Sequence, residues 1–408
     1  MRTIRLRQFA AAAVAALLTA AAPQAAASPD SRPLPALTVL TAKAGTGIGA
    51  IFLAPLSQNA KYANGVEILS PDGKDVLWSK KLPQGQQAAD FKKQTYQGKP
   101  VLTWWQGAGL GGLTDGVDVI YDDQYRKIGE VRAANGYATD GHEFLITPRN
   151  TALVLAYAQG TADLRSIGGP ANQKVIDGVV QEIDIRTGKL LFQWKSSDHV
   201  PYSESRQPLP ASAAAPWDWF HVNAVKVDTD GALLIDSRDT WTAYKVDRQS
   251  GAVLWRLGGA ASSFVLDAAP GQKLNDAGTI FAWQHDVEPL GDGTYRFFDN
   301  EAAGRANTGK DPLSVLPYSR QVTVQVDTEV GRATLVESND QPAGLSATSQ
   351  GNAQTLHNGD VFVGWGALPH ISEFDPAGTL LFDARLPQGV NTYRAYRFPW
   401  PPKTDPSP

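Results

Sequence analysis

The sequence contains no cysteine and a single methionine among its 408 residues. Without cysteine, disulfide bonds, thiolate nucleophiles and thiolate metal sites are excluded. The formal net charge at pH 7 is only -4, and lysine and arginine are scattered, so nucleic acid and anionic membranes are poor partners. The chain also lacks a Gly-x-Ser-x-Gly elbow and a Gly-Lys-Ser/Thr phosphate loop, which argues against a serine hydrolase and a nucleotide-binding loop.

One long apolar run is present, at residues 10–22, and no second stretch is long and apolar enough to predict a membrane span. Arg2, Arg5 and Arg7 precede the run, and three alanines follow it at 25–27. This order is typical of a secretory signal peptide. We therefore predict a signal peptide at 1–27, a single domain at 28–408, and a secreted or periplasmic protein.

Two strand patterns alternate along the remaining chain, and each occurs six times. The first is a turn followed by an apolar strand, at 46–55, 98–107, 149–157, 230–238, 292–300 and 358–366. The second is a strand, a tight turn and another strand, at 67–78, 119–131, 182–194, 244–255, 324–336 and 373–384. Repeated four-stranded units of this kind indicate propeller blades, whereas a sandwich does not predict six copies. We expect an all-β, six-bladed β-propeller, closed by a last strand at 392–398 with an N-terminal strand at 37–41.

Three of the six histidines occupy equivalent places in this repeat. His142, His221 and His285 each open an apolar strand that ends at a turn some residues later. If these are the innermost strands of their blades, the three imidazoles converge at one mouth of the channel. The same face is predicted to receive further candidates: Asn223, Arg238, Asn300, Arg305, Trp105 and His370. Strand alternation predicts that Glu143 points away from the channel, as a packing or surface residue.

Imidazoles combined with arginines suit an anionic tetrahedral group, because arginine donates to its oxygens and histidine acts as nucleophile, base or acid near neutral pH. A single histidine that merely caps a strand end is the simplest alternative. A zinc or copper site is a second one, although no His-x-His or His-Glu-x-x-His spacing supports it. No metal or cofactor is predicted. Trp104, Trp105, Trp283 and Trp365 fit either an aromatic pocket or core packing.

Several fragments together resemble the exported arylsulfotransferase-like family. They include PVLTWWQG, HEFLITPRNTALVLAY, DWFHVNAVKVDTDGALLIDSR, WQHD, FFDN and GNAQTLHNGDVFVGWG. The resemblance implies a six-bladed propeller that moves a sulfuryl group from a phenolic sulfate ester to another phenol, without a nucleotide sulfate donor. It also implies a histidine that becomes transiently sulfated, and small-molecule aryl sulfates and phenols as partners.

The resemblance assigns site residues one by one. His221 in FHVN, with Asn223, matches the His-x-Asn motif, His285 matches the histidine after glutamine, and Arg305 is the counterpart of the sulfate-binding arginine. His370 and His142 remain candidates for the nucleophile. Two other classes stay open: a non-catalytic propeller that binds aromatic or glycan compounds, and a quinoprotein-like oxidoreductase, whose repeats are similar to IDIRTGKLLFQW. The oligomeric state is not predicted.

Overall fold

A computed structural model describes residues 30–109, 116–308 and 313–400. The predicted signal peptide lies outside these residues, so it stays a prediction, as does export. The described part is all-β apart from α1 (Arg305–Thr308) and three single-turn 3-10 helices, Arg165–Ile167, Ser196–Asp198 and Tyr202–Glu204. Among these residues, no helix has the length and apolar character needed to cross a bilayer.

The strands follow one another with short turns. The first are β1 (Thr38–Ala42), β2 (Ala50–Ser57), β3 (Gly65–Leu69), β4 (Val76–Lys81), β5 (Gln87–Tyr96), β6 (Lys99–Gly107), β7 (Gly116–Tyr121) and β8 (Lys127–Val131). Next come β9 (Thr139–Ile146), β10 (Thr151–Ala162), β11 (Gln173–Asp184), β12 (Leu190–Lys195), β13 (Trp217–Asp218), β14 (Val222–Val227), β15 (Leu233–Ser237), β16 (Thr242–Val246), β17 (Val253–Gly258) and β18 (Val265–Ala268). The last are β19 (His285–Gly291), β20 (Thr294–Asp299), β21 (Ala302–Ala303), β22 (Leu313–Ser314), β23 (Arg320–Asp327), β24 (Arg332–Asp340), β25 (Asn352–Thr355), β26 (Val361–Gly364), β27 (His370–Phe374), β28 (Leu380–Arg385) and β29 (Val390–Phe398).

These strands form a propeller-like arrangement of mainly antiparallel sheets, with parallel pairs only at β11–β13 and β18–β24 among the described residues. Four sheets are separate, in the orders β29-β2-β3-β4, β14-β15-β16-β17, β19-β20-β23-β24-β18 and β25-β26-β27-β28-β1. Each copy of the two sequence patterns folds as strands within this arrangement, because turn residues end each run of β-branched and aromatic residues.

The prediction of six separate blades is not met, because β5 to β13 form one continuous nine-stranded sheet. The two halves of this sheet join where Gly116 of β7 pairs with Thr139 of β9. The indole nitrogen of Trp105 donates to the carbonyl oxygen of Thr139 at 2.8 Å and reinforces the junction. A Cβ atom on Gly116 would lie 2.1 Å from the Trp105 ring, so the close approach requires glycine at this position.

The prediction closes the ring of sheets by joining the two terminal strands to each other, and the structure closes it differently. Instead β29 pairs with β2 as the inner strand of the first sheet, and β1 pairs with β28 as the outer strand of the last sheet. Each terminus therefore completes a sheet built mainly from the other end of the chain.

Apolar clusters fill the spaces between neighbouring sheets. Trp194 packs with Phe220 and Tyr244 between β9–β12 and β14–β17, and Trp255 lies in the next cluster, against β19–β24. Both tryptophans therefore pack between neighbouring sheets. The inner strands β29, β5, β9, β14, β19 and β25 lie beside one another in this order, with β25 beside β29, and so surround a central channel.

The channel interior is charged. Its side chains, here called the channel network, are Asp90, Lys92, Glu143, Lys226, Asp286, Glu288 and Arg394. Glu143 lies at the centre, since its carboxylate contacts the nitrogens of Lys92 at 2.5 Å, Lys226 at 2.8 Å and Arg394 at 2.9 Å. Although burial raises the pKa of Glu143, the attraction of these three cations outweighs burial and holds it well below its ordinary value.

The prediction for Glu143 is therefore wrong, and the register of β9 explains why. Phe144 pairs with Val154, but the next pair is Thr139 with Ala156, so residues 140–143 face a single residue of β10. This bulge breaks the alternation of side chains on which the prediction depended.

We expect Gly116→Ala to lower the free energy of unfolding by about 1 to 3 kcal/mol, because the added methyl group overlaps the Trp105 ring. Gly160→Ala is the matched control, since its Cβ would meet Val175 at 3.6 Å, an ordinary contact. Urea denaturation of both variants measures the difference. Equal stability of the two variants would contradict the steric role of Gly116.

Removing Arg394 leaves carboxylates uncompensated in the channel, so we expect Arg394→Ala to cost about 3 to 5 kcal/mol of stability. Arg126→Ala, which removes an exposed ion pair with Asp122, should change stability by less than about 1 kcal/mol. Thermal and urea unfolding compare them. If the two variants unfolded alike, the channel network would not carry the stability assigned to it.

Candidate active site

The three histidines that were predicted to converge lie together at one end of the channel, next to the channel network. The rings of His142, on β9, and His221, directly before β14, lie 5.2 Å apart and nearly perpendicular. Tyr157 packs against both of them, and Tyr393 packs against His142. His285 opens β19, the inner strand next to β14.

Left-handed backbone conformations turn the chain where it enters the inner strands. The φ angle is 51° at His221, 58° at Asp286, 54° at Asp90 and 65° at Gln350. Each such residue costs about 1 to 3 kcal/mol unless the surrounding structure imposes it, and strain of this kind concentrates at functional sites. The strained positions lie around the same end of the channel as the three imidazoles.

The Nδ1 atom of each histidine has an oxygen partner. His142 bonds to Asp140, His221 to Asp218 at 2.5 Å, and His285 to Asn300 at 2.7 Å. For His142 and His221 this leaves Nε2 without a hydrogen bond to any of the described residues. An imidazole oriented by a carboxylate in this way can act as nucleophile, base or acid through Nε2.

His285 has a different state. The backbone N–H of Gln350 donates to its Nε2 at 3.1 Å, so this nitrogen carries no proton and Nδ1 donates to Asn300. Burial lowers the pKa of His285 well below its ordinary value, and the neighbouring Arg238, His142 and His221 add to the effect. His285 is thus neutral and has both ring nitrogens occupied.

The pKa of His221 moves the other way. Burial lowers it, but the carboxylates of Asp218 and Asp239 outweigh both burial and the opposing charge of Arg238, and the pKa of His221 is raised. His221 therefore favours the imidazolium form, which can give a proton to a leaving group.

Arg238 is the arginine of this cluster. It is 1% exposed, its backbone N–H donates to the carbonyl oxygen of His221 at 3.1 Å, and its guanidinium donates to Asp239 at 2.6 Å and to the carbonyl oxygen of Thr348 at 3.1 Å. Arg305, predicted for the same face, instead begins α1 and is exposed. The charge of Arg238 acts on His221 and His285, whereas the role that the resemblance gives to Arg305 stays a prediction.

Both predicted asparagines are buried and hold neighbouring segments together. Asn300 accepts from His285 and donates to the carbonyl oxygens of Ala347 and Gln350. Asn223 donates to the carbonyl oxygen of Gln284 at 3.0 Å and accepts from the backbone N–H of Asp286 at 3.2 Å. Asn223 therefore fixes β14 against β19.

Two candidates lie outside the cluster. His370 begins β27, two strands away from the inner strand, and its Nδ1 lies 3.7 Å from Asp383. Within the described residues, no contact joins it to the three imidazoles. Trp105 is fully buried at the junction of the nine-stranded sheet, where it packs with Ala89 and Tyr393.

The sequence reasoning missed Asp140, Asp218, Asp239 and the two tyrosines. The spacing held a signal for two of them, because Asp140 precedes His142 by two residues and Asp218 precedes His221 by three. Oxygens of Asp218 and Asp239 lie with a nitrogen of His221 within 4.8 Å of one another, as metal ligands would. The ion pair of Asp239 with Arg238 opposes a cation there.

A model of the family described as "Arylsulfotransferase (ASST)" matches residues 92–386. No curated protein matches the chain significantly. Among solved structures, a protein of unknown function from Bacteroides caccae is similar at 12% identity, over 85% of this chain and 98% of that chain, with a TM-score of 0.47. A Lactobacillus plantarum protein (14% identity, 84% and 82% covered, TM-score 0.43) and a streptogramin B lyase (9%, 85% and 86%, 0.41) are also similar. These low similarities carry no argument about function.

We expect Asp218→Asn to lower the pKa of His221, because burial and the charge of Arg238 then act without the main opposing carboxylate. Since the acid form is lost as pH rises through the pKa, its loss should occur at lower pH in the variant. Titration of histidine resonances by NMR measures this shift, with Asp72→Asn, at an exposed turn, as control. An unchanged pKa of His221 would contradict the pairing.

Proposed function

We propose that this chain, which belongs to the arylsulfotransferase family, transfers a sulfuryl group from a phenolic sulfate ester to a phenolic acceptor. The observation that carries the proposal is the facing pair of His142 and His221, 5.2 Å apart and each held by an aspartate, beside a buried arginine. This arrangement offers a nucleophile, an acid and a donor for sulfuryl oxygens in one place.

His142 is the nucleophile of the proposed reaction. Its Nε2 attacks the sulfur atom, the bond from sulfur to the phenolic oxygen breaks, and the leaving oxygen takes the proton of the His221 imidazolium. His285 is unsuited to attack because its Nε2 already accepts from Gln350. His370, the other candidate, lies outside the cluster, beside Asp383.

The second half of the reaction reverses the first. The acceptor phenol gives its proton to His221 while its oxygen attacks the sulfur of sulfohistidine. The bond from nitrogen to sulfur breaks, and its electron pair returns to His142. No nucleotide sulfate donor takes part, and the two half-reactions give ping-pong kinetics.

Arg238 stabilises the charge on the sulfuryl oxygens, as arginines do in phosphoryl transfer. One of its guanidinium nitrogens donates to the carbonyl oxygen of Thr348. The backbone of Gln350 covers His285 in the same way. We therefore expect the segment from Ala347 to Gln350 to move when substrate enters.

We also infer that the nine-stranded sheet acts as two blades. Both of its halves supply an inner strand, β5 and β9, to the ring around the channel. Counted in this way, six units of four or five strands surround the channel, and β9, β14 and β19, which contain or directly follow the three histidines, lie side by side.

The direct test is release of nitrophenolate from 4-nitrophenyl sulfate, measured with and without added phenol. We expect release to rise with phenol, and His142→Ala to reduce it by at least about a thousandfold because the nucleophile is removed. His199→Ala, which changes a ring stacked on Trp194 away from the cluster, is the control. Mass spectrometry of the peptide that contains His142 should detect the sulfuryl adduct.

Each other outcome rejects part of the proposal. Release that does not depend on the acceptor identifies a sulfatase. If His370→Ala abolished release and His142→Ala did not, the assignment of the nucleophile would be wrong. No release from several aryl sulfates would leave a ligand-binding propeller as the better function.

A further inference from the structure

Four side chains form a continuous ladder that starts at the histidine cluster. The guanidinium of Arg238 lies 5.1 Å from the Trp283 ring, Trp283 and Trp241 are 5.3 Å apart edge to face, and the guanidinium of Arg206 lies 5.3 Å from the Trp241 ring. Arg238 and Trp283 are buried, Trp241 is partly exposed and Arg206 is exposed. The ladder thus leads from the reacting groups toward the surface.

Three donors along the ladder have no hydrogen-bond partner among the described residues: the indole nitrogens of Trp241 and Trp283, and Nε of Arg238. The other buried tryptophans with which Trp283 was grouped do have partners. The indole of Trp105 donates to Thr139 and that of Trp365 to Ser372. A buried donor without an acceptor costs about 1 to 3 kcal/mol. Three such donors within one ladder therefore indicate that a ligand supplies their acceptors.

Arg206 ends the ladder with an uncompensated charge. Its backbone N–H donates to the carbonyl oxygen of Asp239 at 2.7 Å, which anchors it beside the site. Among the described residues, no carboxylate forms an ion pair with its guanidinium. The neighbouring Glu204 is already bound by Arg256 at 3.0 Å and by the hydroxyl of Tyr244 at 2.9 Å.

We propose that the ladder binds the aryl part of the donor, and that it selects aryl sulfates carrying a second anionic group. The sulfate lies at Arg238, the aryl ring packs against the partly exposed indole of Trp241, which Trp283 supports from the buried side, and the second anion meets Arg206. The assignment of the sulfate end rests on the proposed function. Two arginines and three free donors make the ladder unsuited to a cationic aromatic compound.

Binding of sulfonates tests the ladder without any transfer, since their carbon–sulfur bond is not broken by this chemistry. Calorimetry compares 4-sulfobenzoate, which has a second anion, with benzenesulfonate, which has none. We expect 4-sulfobenzoate to bind about ten- to a hundredfold more tightly, the value of a hydrogen bond to a charged group. Arg206→Ala should remove this preference.

Two further variants complete the design. Arg206→Lys keeps the charge and should retain part of the preference, which a purely structural role would not produce. Arg186→Ala, at an exposed turn, should bind both sulfonates as the native protein does. Equal affinity of the native protein for the two ligands, or an unchanged preference in Arg206→Ala, would overturn the proposal.

The outcomes separate this proposal from the proposed function. Binding that depends on Arg206, without release of nitrophenolate, supports the ladder and rejects sulfuryl transfer. Transfer without a preference for the second anion supports the function and rejects the ladder.

Discussion

The charged interior of the channel is the constraint on which the rest of the structure depends. Inner strands of a propeller must approach one another closely, and here they do so through ions rather than apolar side chains. Glu143 contacts all three cations of the channel network, which come from β5, β14 and β29. A shift of any of these strands would leave a buried charge without its partner, which is strongly destabilising.

The channel network also determines where the functional groups can lie. Arg394 donates to the carbonyl oxygen of Asn223, and Asn223 in turn bonds to Gln284 and Asp286, next to His285. These hydrogen bonds therefore hold β14, which directly follows His221, and β19, which begins with His285, in place from the side of the channel network. The bulge that directs Glu143 into the channel occurs at His142, so the same irregularity of β9 sets the positions of both side chains.

Local charges give chemically identical histidine side chains different pKa values. Aspartates hold His142 and His221, and a neutral asparagine holds His285. The pKa of His221 is raised and that of His285 is lowered, although the two residues share neighbours such as Arg238. The difference arises from the nearby partner, a carboxylate in one case and an amide with a backbone N–H in the other. Such divergence is what acid and base roles at one pH require.

Part of this site could be predicted from sequence because it depends on local patterns. Turn residues and runs of β-branched residues determine strands within a few positions, and their repetition placed His142, His221 and His285 at equivalent points. The exclusion of thiol chemistry followed from composition alone. The family was also indicated at this level, through motifs such as FHVN and WQHD, and the family match agrees with it.

Other features depended on contacts between distant residues, which no local pattern encodes. Arg238 lies beside His221 because β15 ends next to the start of β14, a neighbourhood that comes from strand pairing. The join at Gly116, the direction of Glu143 and the ladder from Arg206 to Arg238 likewise come from register and close packing. By itself the sequence determined the strands and the place of the three histidines, because both depend on neighbours in the chain. Only the tertiary structure decided which charges surround each histidine, because those partners come from separate strands.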